Sequence, residues 1–188
     1  VKGMRPHTYS VLFGLLAVTG MRVGEIVALD RHDVDLYNGV LTVRNGKFGK
    51  TRLLPVHSST QQKLRTYAGC RRKLAPPHLT DSFFVSDRGT RLNNNIIQHT
   101  FRKISKQIGL RRATDTHGPR IHDLRHTFAV QTLINWYRTG LDPEQKLPLL
   151  SVYLGHAKVS DTYWYLSAVP ELLGALSTRL DNFLGDLS

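Results

Sequence analysis

The chain has 188 residues, 40% hydrophobic and 21% charged, with a formal net charge of +12. That length and apolar content suit one domain with its own core and exclude a disordered chain. The single cysteine, Cys70, excludes an internal disulfide and a cysteine metal cluster. No stretch is long and apolar enough to span a bilayer and no signal peptide is visible, so the expected compartment is the cytoplasm or nucleoid. The chain starts at Val1 without a methionine, as a piece of a longer protein would.

The charge is unevenly placed. Residues 1–126 hold 22 Lys and Arg against 8 Asp and Glu, a net +14, whereas residues 127–188 hold 4 against 6, a net −2. Such an excess on one part of a domain favours a polyanionic partner. A basic amphipathic helix with an aromatic face is missing, which weighs against a membrane surface.

In chain order, residues 7–19 read as a mostly buried helix. "GMRVGEIVAL" starts a second, with Ile26, Val27 and Leu29 facing inward and Arg22 at its first turn. Glu25 is spaced either to brace Arg22 or to favour the helix N-terminus. "GVLTVRNGKFGKTRLLPV" alternates as a hairpin with Lys47 and Lys50 on its turn. No acidic residue occurs between Asp35 and Asp81, while nine Lys and Arg do. Residues 58–74 read as a helix ending in Arg71, Arg72 and Lys73. "SFFVS" reads as a short strand before a turn at "DRGT".

"NNNIIQHTFRKISKQIGL" is an amphipathic helix, with Ile96, Ile97, Phe101, Ile104 and Ile108 expected toward the core. Its other face carries Arg102, Lys103 and Lys106, with Arg111 and Arg112 beyond; these are expected backbone-phosphate contacts. Residues 113–119 are a polar loop. "RIHDLRHTF" opens a long helix, "LDPEQKLPLLSVYLG" a loop and a short helix, and an apolar stripe near 170–184 a last helix.

Residues 120–165 carry the chemistry. His122 and Arg125 are three apart and share a helix face. An imidazole beside a planar guanidinium suits an anion with two oxygens to bind and a proton to move, such as a phosphodiester. His156 follows a glycine that ends a helix, and Tyr165, nine residues on, can return to the same pocket. A tyrosine hydroxyl has a pKa near 10 and is a poor nucleophile, but neighbouring cations favour the phenolate. Each residue alone is more often structural. The two histidines of "HDLRH" also stand four apart, as in zinc hydrolases, with His156 as a third conceivable ligand. Asp123 is short for the base of such a site, and Arg125 would set a positive charge beside the metal.

The pieces "TGMRVGEI", "GKFGKTRLLPV", "HDLRHTFA", "LGH" and "DTYWY" together resemble the catalytic domain of tyrosine recombinases, the phage-integrase family, from about Thr8 to Leu184. The resemblance implies a mainly helical α+β fold with a small three-stranded antiparallel sheet. It makes residues 1–188 a single catalytic domain without the family's N-terminal core-binding domain. It also makes Arg22, Lys47, His122, Arg125 and His156 catalytic and Tyr165 the nucleophile, with Lys50 the alternative hairpin lysine and Tyr163 a packing residue. The implied reaction cleaves and rejoins DNA through a 3′-phosphotyrosine, without metal, ATP or other cofactor. Arg44, Lys50 and Arg52 join the DNA-contact set. His126 reads as a structural hydrogen-bonding residue. The implied partners are double-stranded DNA and further copies of the chain, monomeric when free and tetrameric on DNA through the C-terminal helix. A DNA-binding module that does not cut and a related topoisomerase are the alternative readings.

Overall fold

The computed structural model describes residues 3–44, 49, 51–76, 80–112, 114, 115 and 118–167. Helix α1 runs Arg5–Thr19, with Pro6 in its first turn, where a missing N–H costs nothing. Gly20 ends it in the left-handed conformation (φ 61°), its N–H bonded to the Leu16 carbonyl. A Cβ at Gly20 would lie 2.6 Å from the Phe128 ring, so glycine also permits the close approach of the later helix α5. Helix α2 is Val23–Ala28, and a 3-10 turn at Arg31–Asp33 leads into the sheet.

The sheet has strands β1 (Val34–Asp35), β2 (Val40–Val43) and β3 (Arg52–Pro55), in that order and antiparallel. Leu41 pairs with Leu54, and Leu41, Val43 and Leu54 turn one face inward as the alternation requires. The third strand is therefore Val34–Asp35. "SFFVS" is not a strand: it is held by isolated bridges, Asp30 to Ser82 and Val85 to Arg91. Phe83 and Phe84 are both buried in a ring cluster with Tyr67 and bend the segment into the core.

Helix α3 is Ser58–Leu74 and α4 is Asn94–Gln107, the latter capped by the Asn93 side chain on the Asn95 N–H at 2.8 Å. On α4 the expected apolar face is narrower than the sequence suggested. Ile97 is fully buried and Phe101 partly so, but Ile96 and Ile108 are 54% and 63% exposed. Ile96 sits about 100° around the helix from Ile97, and Ile108 lies past the last turn.

Helices α5 (Asp123–Arg138), α6 (Pro143–Leu154) and α7 (Ser160–Ser167) form a second layer. The buried residues fall into two clusters. The larger joins α1–α4 and the sheet around Leu12, Leu16, Ile26, Leu41 and Tyr67. The smaller joins α5–α7 around Ala129, Leu133, Leu147, Leu154 and Tyr165. Helix α5 packs on α1, and α6 packs on β3, so the functional residues gather where the two meet. The expected helix at 170–184 lies outside the described residues. Among those described, no helix is long and apolar enough to cross a membrane.

Candidate active site

The site is built on the end of α6. Asp142 caps its start by accepting from the Glu144 N–H at 2.9 Å, and Gly155 (φ 70°) turns the chain out of it. The last carbonyls of a helix have no partner within it and carry its negative dipole end. Here they accept from three arginines that come from different elements. Arg22, at the start of α2, donates to the Leu154 carbonyl at 3.5 Å and the Gly155 carbonyl at 3.2 Å. Arg125, on α5, donates to the Leu154 carbonyl at 2.8 Å and to the Gly20 carbonyl at 2.7 Å. Arg52, on β3, donates to the Tyr153 carbonyl at 2.9 Å. Hydrogen bonds to charged groups contribute about 1.5–3 kcal/mol each, so this set pins the two layers together at the site. Gly155 belongs to the design, since a Cβ there would come within 2.6 Å of the Arg52 guanidinium.

Glu25 joins two of these cations. Its carboxylate accepts from the Arg22 backbone N–H at 2.9 Å and guanidinium at 3.0 Å, and from both terminal nitrogens of Arg52 at 3.0 and 2.8 Å. It thus braces Arg22 and caps α2 at once. Burial alone would raise its pKa, but the Arg52 and Arg22 bonds outweigh burial and hold it below the usual carboxylate value. Arg125 is 2% exposed; burial and the nearby Arg22 charge bring its pKa down to about 10, leaving it cationic at neutral pH.

Tyr165 projects from α7 into this seam and is 3% exposed. Its hydroxyl lies 3.0 Å from His126 Nδ1, and its ring stacks nearly parallel to that of His156, centroids 6.3 Å apart. His156 is oriented by Thr162, with Nδ1 and Oγ1 2.7 Å apart. Burial raises the Tyr165 pKa, only partly offset by Arg125 and Arg22. The surrounding cations do favour the phenolate, as expected, but desolvation is the larger effect and holds the hydroxyl pKa above its ordinary value.

His122 sits at the N-cap of α5 and is exposed. Among the described residues it makes no hydrogen bond to Tyr165; its ring meets that of His126 edge to face, centroids 4.7 Å apart. Burial lowers both imidazole pKa values. His126 and Arg125 add to the effect on His122, and Arg120 and Arg125 to that on His126. Arg125 points inward and His122 outward, so the pair shares a turn of chain rather than a single binding face. Tyr163 is 52% exposed and does not pack. His122, His126 and His156 do not converge as metal ligands would. Among the described residues the cluster with that geometry is Asp30, His32 and Asp33, whose carboxylates are engaged by Arg91 and Arg44.

The basic residues divide sharply. Arg102, Lys103, Lys106 and Arg112 are exposed, and among the described residues their side chains have no hydrogen-bond or ion-pair partner. Arg44 is exposed but paired with Asp33 at 2.5 Å. Arg111 folds back on its own loop, donating to the Asp115 carbonyl at 3.4 Å. Arg52 corrects the sequence expectation most clearly: its side chain is 11% exposed and committed to Glu25 and Tyr153, so it is a brace within the site and not a surface contact. Its partner Glu25 stands 27 residues back, a pairing that no local pattern signals. Lys47 and Lys50 lie outside the described residues.

Three comparisons bear on this geometry. The model of the phage integrase family matches residues 3–171. The putative integrase/recombinase y4rB of Sinorhizobium fredii is 51% identical over 183 residues, 95% of this chain and 57% of that protein. Among solved structures, XerA recombinase superposes with a TM-score of 0.75 at 30% identity, over 93% of this chain and 58% of that one. XerH, solved in a post-cleavage complex with its palindromic difH substrate, shares the fold at a TM-score of 0.70 and 23% identity, over 96% of this chain and 48% of that one. The chain thus spans about half the length of the proteins it matches.

Proposed function

The chain belongs to the phage integrase family, and on that premise we propose that it is the catalytic part of a site-specific DNA recombinase, which breaks and rejoins strands through a 3′-phosphotyrosine at Tyr165. The observation that carries the reading is the seam itself: a buried tyrosine hydroxyl beside Arg125 and Arg22, with imidazoles on two sides.

In this mechanism Tyr165 attacks a DNA phosphorus. Arg22 and Arg125 bind the non-bridging oxygens as charge grows there, and His156 adds a further donor. Donors preorganised in this way are worth about 3–4 kcal/mol each in the transition state. The α6 carbonyls and Glu25 hold the guanidiniums in advance, so little reorganisation is needed when the phosphate arrives. Lys47 protonates the leaving 5′-oxygen, and the histidines of α5 handle the tyrosine proton. The ester conserves the bond energy, so a 5′-hydroxyl from another strand reverses the step.

Double-stranded DNA is the partner that the charge calls for. The exposed Arg102, Lys103, Lys106 and Arg112, on and just beyond α4, would serve as phosphate contacts. XerH, of the same fold, was solved bound to its difH substrate, which supports the same class of partner here. Assembly on DNA through residues near 170–184 completes the proposal.

The test is covalent trapping. The protein is incubated in EDTA with nicked duplexes randomised across the cleavage region and run on a denaturing gel. The reading expects a protein–DNA adduct from the wild type and none from Tyr165→Phe, with DNA binding retained in both. Tight binding without any wild-type adduct would leave a binding module instead.

A further inference from the structure

We propose that His126, one turn beyond His122 and next to Arg125, is the base that takes the Tyr165 proton, with the His122 ring packed against its own. The assignment rests on the recombinase reading above and changes which histidine does the proton transfer.

The geometry is direct. His126 Nδ1 stands 3.0 Å from the Tyr165 hydroxyl, within the reach that proton transfer requires. His122 has no such contact among the described residues. Its ring meets that of His126 edge to face, with centroids 4.7 Å apart. The spacing explains this. A residue four after the N-cap returns to the same side of α5 one turn deeper, and that depth is where α7 packs. His126 is enclosed there by the rings of Trp164, Tyr165 and His122, at 5.6, 5.6 and 4.7 Å. The charged groups around it are Arg120, Asp123 and Arg125 on its own segment. The aromatic box and the two arginines favour a neutral ring that can accept a proton. Asp123, bonded to the Arg120 backbone N–H at 2.9 Å, supplies the negative charge that supports the imidazolium once formed.

The step balances. The Tyr165 hydroxyl gives its proton to the neutral Nδ1 of His126, and its oxygen bonds to phosphorus. The bond from phosphorus to the 5′-oxygen breaks with its electron pair on that oxygen, which takes a proton from the general acid on the hairpin. Religation runs the same transfers backwards, with His126 returning the proton to the tyrosine oxygen. No redox partner is required.

Two readouts test this on the full chain. The first needs no DNA: nitrogen-15 NMR of the His126 ring. The proposal expects Nδ1 to be the unprotonated, accepting nitrogen. A protonated Nδ1 would mean that the ring donates to the tyrosine oxygen, a purely structural bond, and would overturn it. The second is the rate of adduct formation on the randomised nicked duplexes. H126Q keeps a side chain that can hydrogen-bond but cannot take the proton. Its rate should fall by about 10²–10⁴-fold, recover as pH rises, and not be rescued by a 5′-thio leaving group. H122Q should lose less. An H126Q variant within a few-fold of wild type, or one rescued by the thio substrate, would overturn the assignment alone. A wild type that forms no adduct would instead overturn the recombinase reading, and the ring tautomer would still decide the hydrogen bond.

Discussion

The larger layer, α1–α4 with the sheet, and the smaller one, α5–α7, differ in both charge and chemistry. Residues 1–122 hold 21 Lys and Arg against 7 Asp and Glu, a net +14, whereas residues 123–167, which carry α5–α7, hold 4 against 4, a net of zero. The first supplies Arg22, Arg52 and the exposed cations of α4; the second supplies the α6 carbonyls, His156 and Tyr165. Arg125 crosses between them. The proposed nucleophile, Tyr165, thus belongs to one layer and much of the charge that would stabilise its reaction to the other. In the proposed mechanism activity would depend on the fit between two cores, which Glu25 and its two arginines help to set.

Removing Glu25 should break the comparison most severely. Glu25→Ala leaves Arg52 nearly buried without a carboxylate and should cost about 3–5 kcal/mol by urea unfolding. Both tryptophans, Trp136 and Trp164, lie in the smaller layer, so their fluorescence reports that layer alone. In the wild type it should unfold together with the far-ultraviolet circular dichroism signal; in Glu25→Ala the two transitions should separate. The pH dependence has a definite sign. A carboxylate held below its ordinary value of 4.5 contributes fully above that pH and loses the contribution as pH falls through the folded value. Glu25→Gln should therefore flatten the acid limb of the stability profile.

A cut within the smaller core should come next. Leu133 is fully buried there, and Leu133→Ala should cost about 2–5 kcal/mol and lower the tryptophan transition first. Gly155→Ala combines a left-handed backbone with a Cβ pressed on Arg52. About 1–2 kcal/mol is expected from the backbone alone, with a loss of adduct formation larger than that stability change implies. The smallest effect on folding should come from Arg102→Ala and Lys106→Ala, within about 0.5 kcal/mol. If they meet phosphates, each should reduce the log–log salt slope of DNA affinity by about 0.9.

The particular residues show what a sequence can reveal here. Arg22, Arg125, His156 and Tyr165 were singled out by the family resemblance together with their spacing to glycines and helix starts, and the structure brings all four to one seam, their roles being part of the proposal. The helices and the hairpin were legible from periodicity. Arg52 was not, because an arginine beside a basic turn looks solvent-facing until its distant partner Glu25 is placed. Ile96 and Ile108 were assigned inward because an apolar residue on an amphipathic helix reads as core, whereas α4 buries only a narrow stripe. His126 reads in the sequence as a structural hydrogen-bonding residue, and the structure gives it such a bond, but the sequence holds nothing to show that its partner would be Tyr165 of α7. Tertiary contact between segments 39 residues apart decided that point.

The most direct measurement of the central claim is to locate the covalent bond. The trapped adduct would be digested with nuclease and trypsin, and the peptide following Lys158 fragmented in a mass spectrometer. The account predicts a nucleotide remnant on Tyr165 and none on the exposed Tyr163 two residues before it. A remnant on Tyr163, or on any residue outside the seam, would contradict it.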